Sequence, residues 1–201
     1  AAFVDQMKQG CQLCHQMGNR ITREITHISD RFDSTAQAWH GRLRFGQRGA
    51  RMIGVIGAMG RDRTVGMFAD WTDQIAAGTV PPSPPRPQGR ERNVVLTMWD
   101  WGHATSYVHD EVTSDKRNPR VNADGPVYGV SMSDNKLVIT DPISHRSTSV
   151  EVPVRDPATP SYFPLTNFEP SPFWGDEPFM SAPANVHNPM MDHKGRVWMT
   201  S

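Results

Sequence analysis

Apolar positions along the first 80 residues recur at helical spacing, and from residue 93 onward they alternate as strands do. Phe3 and Met7 lie four apart in a segment that runs to Gly10, which predicts a helix entering the residues that follow. Gly18 and Asn19 suit a turn. Asp33 and Ser34 can cap a helix over about 35–45 that carries Ala38, Leu43 and Phe45. Gly46, Gly49, Gly54, Gly57 and Gly60 predict a broken stretch after it. Val65, Phe68, Ala69, Thr72, Ile75 and Ala76 then mark a helix over about 62–77, with Gly78 as its stop and Pro81 beyond. The pattern of 21–28 is mixed and predicts no element.

A proline-rich stretch from Thr79 to Gly89 has no hydrophobic period and reads as a stiff, extended spacer of about 3.1 Å per residue. After it, strands are predicted over 93–99, 127–132, 136–140 and 147–154. The turn 133–135 separates the second from the third, and Asp141-Pro142 opens the next turn. Asp192 to Gly195 predicts a hairpin turn with glycine where positive φ is required, and Trp198 alternates with Val197 and Met199 on the strand after it. The stretch 163–183 is a long proline-rich loop carrying Phe168, Phe173, Trp174 and Phe179.

Composition narrows the function classes. Lys and Arg number 21, and Asp and Glu number 21, so the net charge is zero and no footprint for nucleic acid or an anionic membrane is present. No run approaches the roughly 18 apolar residues of a membrane span. The 17 prolines and 16 glycines favour turns and loops over long helices.

The chemistry concentrates in Cys11-Gln12-Leu13-Cys14-His15, which uses both cysteines of the chain. Cys-x-x-Cys alone admits a redox dithiol, a structural disulfide or half a zinc site. A zinc site needs further ligands at matching spacing, and there is no third cysteine. A thioredoxin-like dithiol follows a strand, whereas a helix precedes this one. With His directly after the second cysteine, the pattern is that of covalent c-type haem attachment. The thiols add to the two haem vinyl groups, and His15 is held beneath the iron as proximal ligand. One covalent haem c is therefore the expected cofactor.

A helix leading into Cys-x-x-Cys-His, with an amphipathic helix closing the segment some 50 residues later, resembles the class I cytochrome c fold. The resemblance covers about 80 residues, and the pentapeptide is its specific part. The family commonly has an aromatic four residues before the first cysteine, where this chain has Met7. The resemblance implies a sixth iron ligand in a loop just before the last helix. Met59 is the first choice and Met52 the second; His27, His40 and an open position share the remainder. Each of these side chains also has an ordinary reading, as packing filler or surface histidine.

The second half shows a different likeness. Residues 136–142 resemble the strand and Asp-Pro turn of streptogramin-lyase-like and NHL-type β-propellers, and 186–200 resembles their blade motif. The two pieces supply under two blades, so the expectation is a partial propeller in a truncated piece of a longer bacterial protein. The expected fold class is thus α + β and multidomain. It comprises an all-α cytochrome c-like haem domain over 1–80, a proline-rich linker over 81–92, and a partial all-β propeller over 93–201.

Two further clusters contain metal-ligating residue types. Trp99 to His103 joins indoles, a carboxylate and an imidazole, and His109-Asp110-Glu111 joins an imidazole to two acids. A metal or sugar site competes there with a capped loop over buried tryptophans, and no spacing such as His-x-x-x-His favours the site. His187 and His193 could line a propeller mouth.

The expected function is electron transfer by the haem to a redox partner protein, as a module of a periplasmic oxidoreductase rather than a self-contained enzyme. The alternative is a lyase or carbohydrate-associated propeller, with a small molecule or saccharide as substrate and an accessory haem segment. Haem is attached outside the bacterial cytoplasm, so a periplasmic or extracellular location is expected, with a leader preceding Ala1.

Overall fold

The computed structural model describes residues 2–15, 17–18 and 20–200, with the side chains of all of these except Ile21, Thr26 and His27. Six α-helices lie among the described residues: α1 (Ala2–Gly10), α2 (Arg20–Arg23), α3 (Thr26–Ser29), α4 (Thr35–Arg42), α5 (Gly49–Met59) and α6 (Arg61–Ala76). Strands β1 (Val108–Val112), β2 (Val127–Ser131), β3 (Lys136–Asp141) and β4 (Arg146–Glu151) form an antiparallel meander in that order. Strands β5 (His187–Met191) and β6 (Val197–Thr200) pair as a separate hairpin, and β5 packs on β1 and β2.

Local signals set the start of α4 and the end of α6. The Ser34 hydroxyl accepts the Gln37 amide at 3.2 Å and starts α4. Gly78, at φ +75°, stops α6; its amide reaches the Ile75 carbonyl and the Thr79 amide reaches Gln74. The glycine-rich stretch does not break as its composition predicts. It forms α5, which buries Ile56 and Met59. Gly49 is required there, because a Cβ would lie 1.9 Å from the Arg44 carbonyl oxygen. Gly10 allows a close approach of α1 to α5, since a Cβ would meet the Val55 side chain at 2.5 Å.

Helices α4 and α6 clasp the helical core of Ile25, Ile28, Ala38, Trp39, Leu43, Ile56, Val65, Phe68 and Ala69. The Trp39 indole stacks at 5.0 Å on Phe68 and donates to the Thr72 hydroxyl at 2.9 Å. That hydroxyl donates onward to the Arg23 carbonyl. Thr35 Oγ1 donates to Asp73 at 2.7 Å and ties the two helices near their ends.

The structure overturns the expected fold class of an all-α haem domain separate from a partial propeller. The segment between α4 and α5 is docked into the second half of the chain. Gln47 is buried, and its amide nitrogen donates to the carbonyls of Pro164 and Met180, each at 2.8 Å. Its carbonyl oxygen accepts the Met180 amide at 2.9 Å. Phe45 bridges Glu169 in parallel, and the Gly46 amide donates to the Glu169 carbonyl at 2.7 Å. The Arg48 guanidinium lies 5.1 Å over the Phe163 ring. Phe163 in turn anchors a second core with Met132, Met180 and Ala182. The loop expected over 163–183 is thus the seat of the helical region. The two sheets, of four and two strands, do not assemble as propeller blades. The blade-like motifs specify hairpins locally and leave open how hairpins stack.

Two strand expectations also fail. Residues 93–99 form no strand, and β1 is an element the hydrophobic pattern did not mark. Residues 76–100 are exposed throughout, with Val95 at 85% and Leu96 at 88%. An apolar extended segment with unpaired backbone is a template for association with another chain. Val95→Lys with Leu96→Lys is therefore expected to suppress concentration-dependent light scattering without changing the melting temperature. Equal scattering by both proteins would contradict this.

The β5–β6 hairpin is closed by one carboxylate. Asp192 accepts from the Trp198 indole at 3.0 Å, the Arg196 guanidinium at 2.7 Å, and the amides of Lys194 and Arg196. The Trp198 bond leads in holding this carboxyl well below the usual carboxylate range, and the Arg196 and Lys194 bonds add to it. A depressed folded pKa contributes stability above the unfolded value of about 3.9 and loses it as pH falls through the folded one. Asp192→Asn should therefore loosen the hairpin at pH 7, read as faster amide exchange in β6. The gap to wild type should close as pH drops below the ordinary carboxylate range. A gap independent of pH would contradict the role given to the charge.

Candidate haem-attachment turn and the adjoining His–Asp cluster

The hydrogen-bond ladder of α1 continues into the cysteine turn. The Cys11 amide donates to the Met7 carbonyl at 2.8 Å, and the Cys14 and His15 amides both donate to the Cys11 carbonyl, at 3.1 and 2.9 Å. Residues three and four apart on such a turn share a face. Cys11, Cys14 and His15 are therefore presented on one side of a single helical turn. Both cysteines are free thiols. Burial, followed by the neighbouring Cys14, pushes the Cys11 thiol up. Burial, followed by the charge of Arg42, pushes the His15 imidazole down from its ordinary value. His15 is then neutral at pH 7, the form that binds a metal ion. Arg42 is itself lowered by burial to about 10, and its guanidinium donates to the Glu24 carbonyl at 2.8 Å.

The donor set fits a covalently held haem: two free sulfurs at the required spacing, and a neutral imidazole directly after the second. Met59 is at the end of α5, 7% exposed, and Met52 is about two turns earlier on nearly the same face, against the helical core. Both occupy the helix on which α1 packs, rather than the loop expected of them. His40 lines a cavity of about 240 Å3 with Leu43, Arg44, Ile53, Ile56 and Arg61; Cys11, Cys14 and His15 do not line it. The side chain of His27 lies outside the described residues.

Cys14 also reaches the second half of the chain. Its thiol donates to the Tyr107 hydroxyl at 3.1 Å. Burial, together with the Cys14 contact, pushes the Tyr107 phenol well above its ordinary value, so it keeps its proton. A thioether at Cys14 would have no S–H, and the contact would persist with the phenol as donor. Behind Tyr107, 5.4 Å between ring centroids, stands His109 on β1. His109 Nδ1 is 3.1 Å from Asp110 Oδ1, and His187 Nδ1 on β5 is 3.3 Å from Asp110 Oδ2. The Asn188 amide also donates to Asp110 Oδ2, at 3.1 Å. Burial pushes the Asp110 carboxyl up, but the Asn188, His109 and His187 contacts together outweigh it and leave it lowered.

The packing of β5 on β1 joins His187 to the His109-Asp110 pair from 77 residues away, a pairing that no sequence spacing reveals. The other tempting cluster does not converge in this way. Trp99 is exposed rather than buried, and its indole donates to His145 at 2.8 Å. Asp100 caps the Gly102 amide at 2.7 Å, as a turn residue does.

No protein-family model, curated protein or solved structure matches this chain.

Proposed function

We propose that the chain carries one c-type haem, joined through Cys11 and Cys14, and transfers single electrons to a redox partner protein. The observation behind this reading is the single helical turn that presents two free thiols and an imidazole on one face. When bound, the haem supplies a one-electron iron couple. Cys11 and Cys14 hold it against loss, and Gly10 lets α1 bring the turn down onto α5. His15 provides its imidazole without having to shed a proton. The half-buried Arg42 beside it disfavours a positive charge on the ring. Met59 is the proposed distal ligand, with Met52 second; a thioether there would raise the iron potential relative to a second histidine.

A periplasmic or extracellular setting belongs to the same reading, because thioether attachment occurs there. No helix among the described residues is long and apolar enough to cross a membrane. The test is expression with a haem-maturation system, acid–acetone extraction, and a pyridine haemochrome spectrum of the remaining protein. A c-type band in the extracted protein is expected. A colourless protein, with all pigment in the acetone, overturns the reading.

A further inference from the structure

The geometry points to a second metal centre, independent of the haem reading: His109, Asp110 and His187 form a site for one divalent first-row transition ion. The three side chains converge from β1 and β5: His109 Nδ1 faces a carboxylate oxygen of Asp110 at 3.1 Å, and its Nε2 faces the thioether sulfur of Met132. The carboxylate is the stronger acceptor, so Nδ1–H bonds to Asp110 when no ion is bound. A divalent ion entering there shifts that proton to Nε2 and is bound by the freed Nδ1 lone pair together with the carboxylate. His187 Nδ1 approaches the other oxygen of the same carboxylate at 3.3 Å, and the two imidazole centroids are 4.8 Å apart.

The spacing suits an ion. The candidate ligand atoms of the three residues all lie within 4.8 Å of one another. Ligand atoms about 2.0–2.2 Å from a zinc-sized ion, at tetrahedral angles, are about 3.3–3.6 Å apart. His109 Nδ1 and His187 Nδ1 lie 3.1 and 3.3 Å from the two oxygens of the one carboxylate, so a small closure lets a single oxygen serve with both rings. The Asn188 amide orients the carboxylate, as outer partners of metal ligands do, and Met132 lies against the far nitrogen of His109. His109 is 10% exposed, while Asp110 and His187 are about one-third exposed, which leaves a solvent side for a water or a small anionic ligand. Two imidazoles and a carboxylate select zinc, iron(II) or copper(II) over calcium and magnesium, which favour all-oxygen shells.

The test is zinc titration of the full chain after chelator treatment, read by calorimetry and by metal analysis after dialysis. One zinc per chain is expected, with a rise in melting temperature on loading. Asp110→Asn and His187→Asn should each weaken zinc binding by at least about 10-fold, with the far-UV spectrum unchanged. The same titration on Cys11→Ser/Cys14→Ser should retain the zinc. Zinc lost with the cysteines but kept in His187→Asn would place the ion on the thiols and overturn the proposal. A wild-type chain that retains no zinc would show that a proton alone satisfies the cluster, and would overturn it equally. Neither outcome bears on covalent haem, which is read from the extracted protein.

Discussion

Gln47→Leu is expected to lower stability by about 3 kcal/mol, because three backbone groups, two of them buried and one partly so, lose their partner at once. For a chain of 201 residues that corresponds to a fall in melting temperature of about 6–12 °C. The side chain is nearly preserved in volume, so cavity formation contributes little. The cost arises chiefly from the Met180 carbonyl and amide, which water reaches poorly, and less from the partly buried Pro164 carbonyl. Gln47→Glu makes the cause separable. It keeps the acceptor for the Met180 amide but sets a carboxylate against two carbonyls. Its folded pKa is then raised above the unfolded value, so the damage is greatest at neutral pH and eases below the carboxylate range. Thermal unfolding of both variants at pH 7 and pH 4 checks this. Near-wild-type stability of Gln47→Leu would mean that the helical and sheet regions do not depend on this junction.

The second large effect follows from the proposed haem. His15→Ala should leave the thioethers in place, since both sulfurs remain, but remove the proximal nitrogen. Near-complete loss of the low-spin spectrum is expected, with recovery when free imidazole is added to fill the vacated position. Loss of folding alone would not be rescued by imidazole. A low-spin spectrum unchanged in His15→Ala would assign the proximal ligand to another residue.

Features with a local cause were legible in the sequence. Ser34 caps its helix, Gly78 ends another, and Asp192 to Gly195 turns a hairpin, each through contacts within a few residues. The turn from Cys11 to His15 is local too, since it continues the hydrogen-bond ladder of α1; the haem read from that pentapeptide is a proposal. The helix α5 was not, because its three glycines lower local propensity while the burial of Ile56 and Met59 and the close packing of Gly10 on Val55 restore it. Residues 93–99 have the composition of a strand but lack a partner strand, and a strand is defined by its partner. The separate haem domain was misjudged because a proline-rich stretch looked like a boundary. Hydrogen bonds from Gln47 to Met180, 133 residues away, cross that boundary without leaving a mark in the sequence. The His109–Asp110–His187 cluster is hidden in the same way, with two members adjacent and the third brought in by sheet packing.

The account depends most on whether sulfur-to-porphyrin bonds form at Cys11 and Cys14. The direct measurement is the intact mass of acid-denatured chain matured in cells equipped for haem attachment. The predicted result is the polypeptide mass plus one haem, reverting to the polypeptide alone in Cys11→Ser/Cys14→Ser. An unmodified mass in the wild-type protein from the same cells would contradict the account.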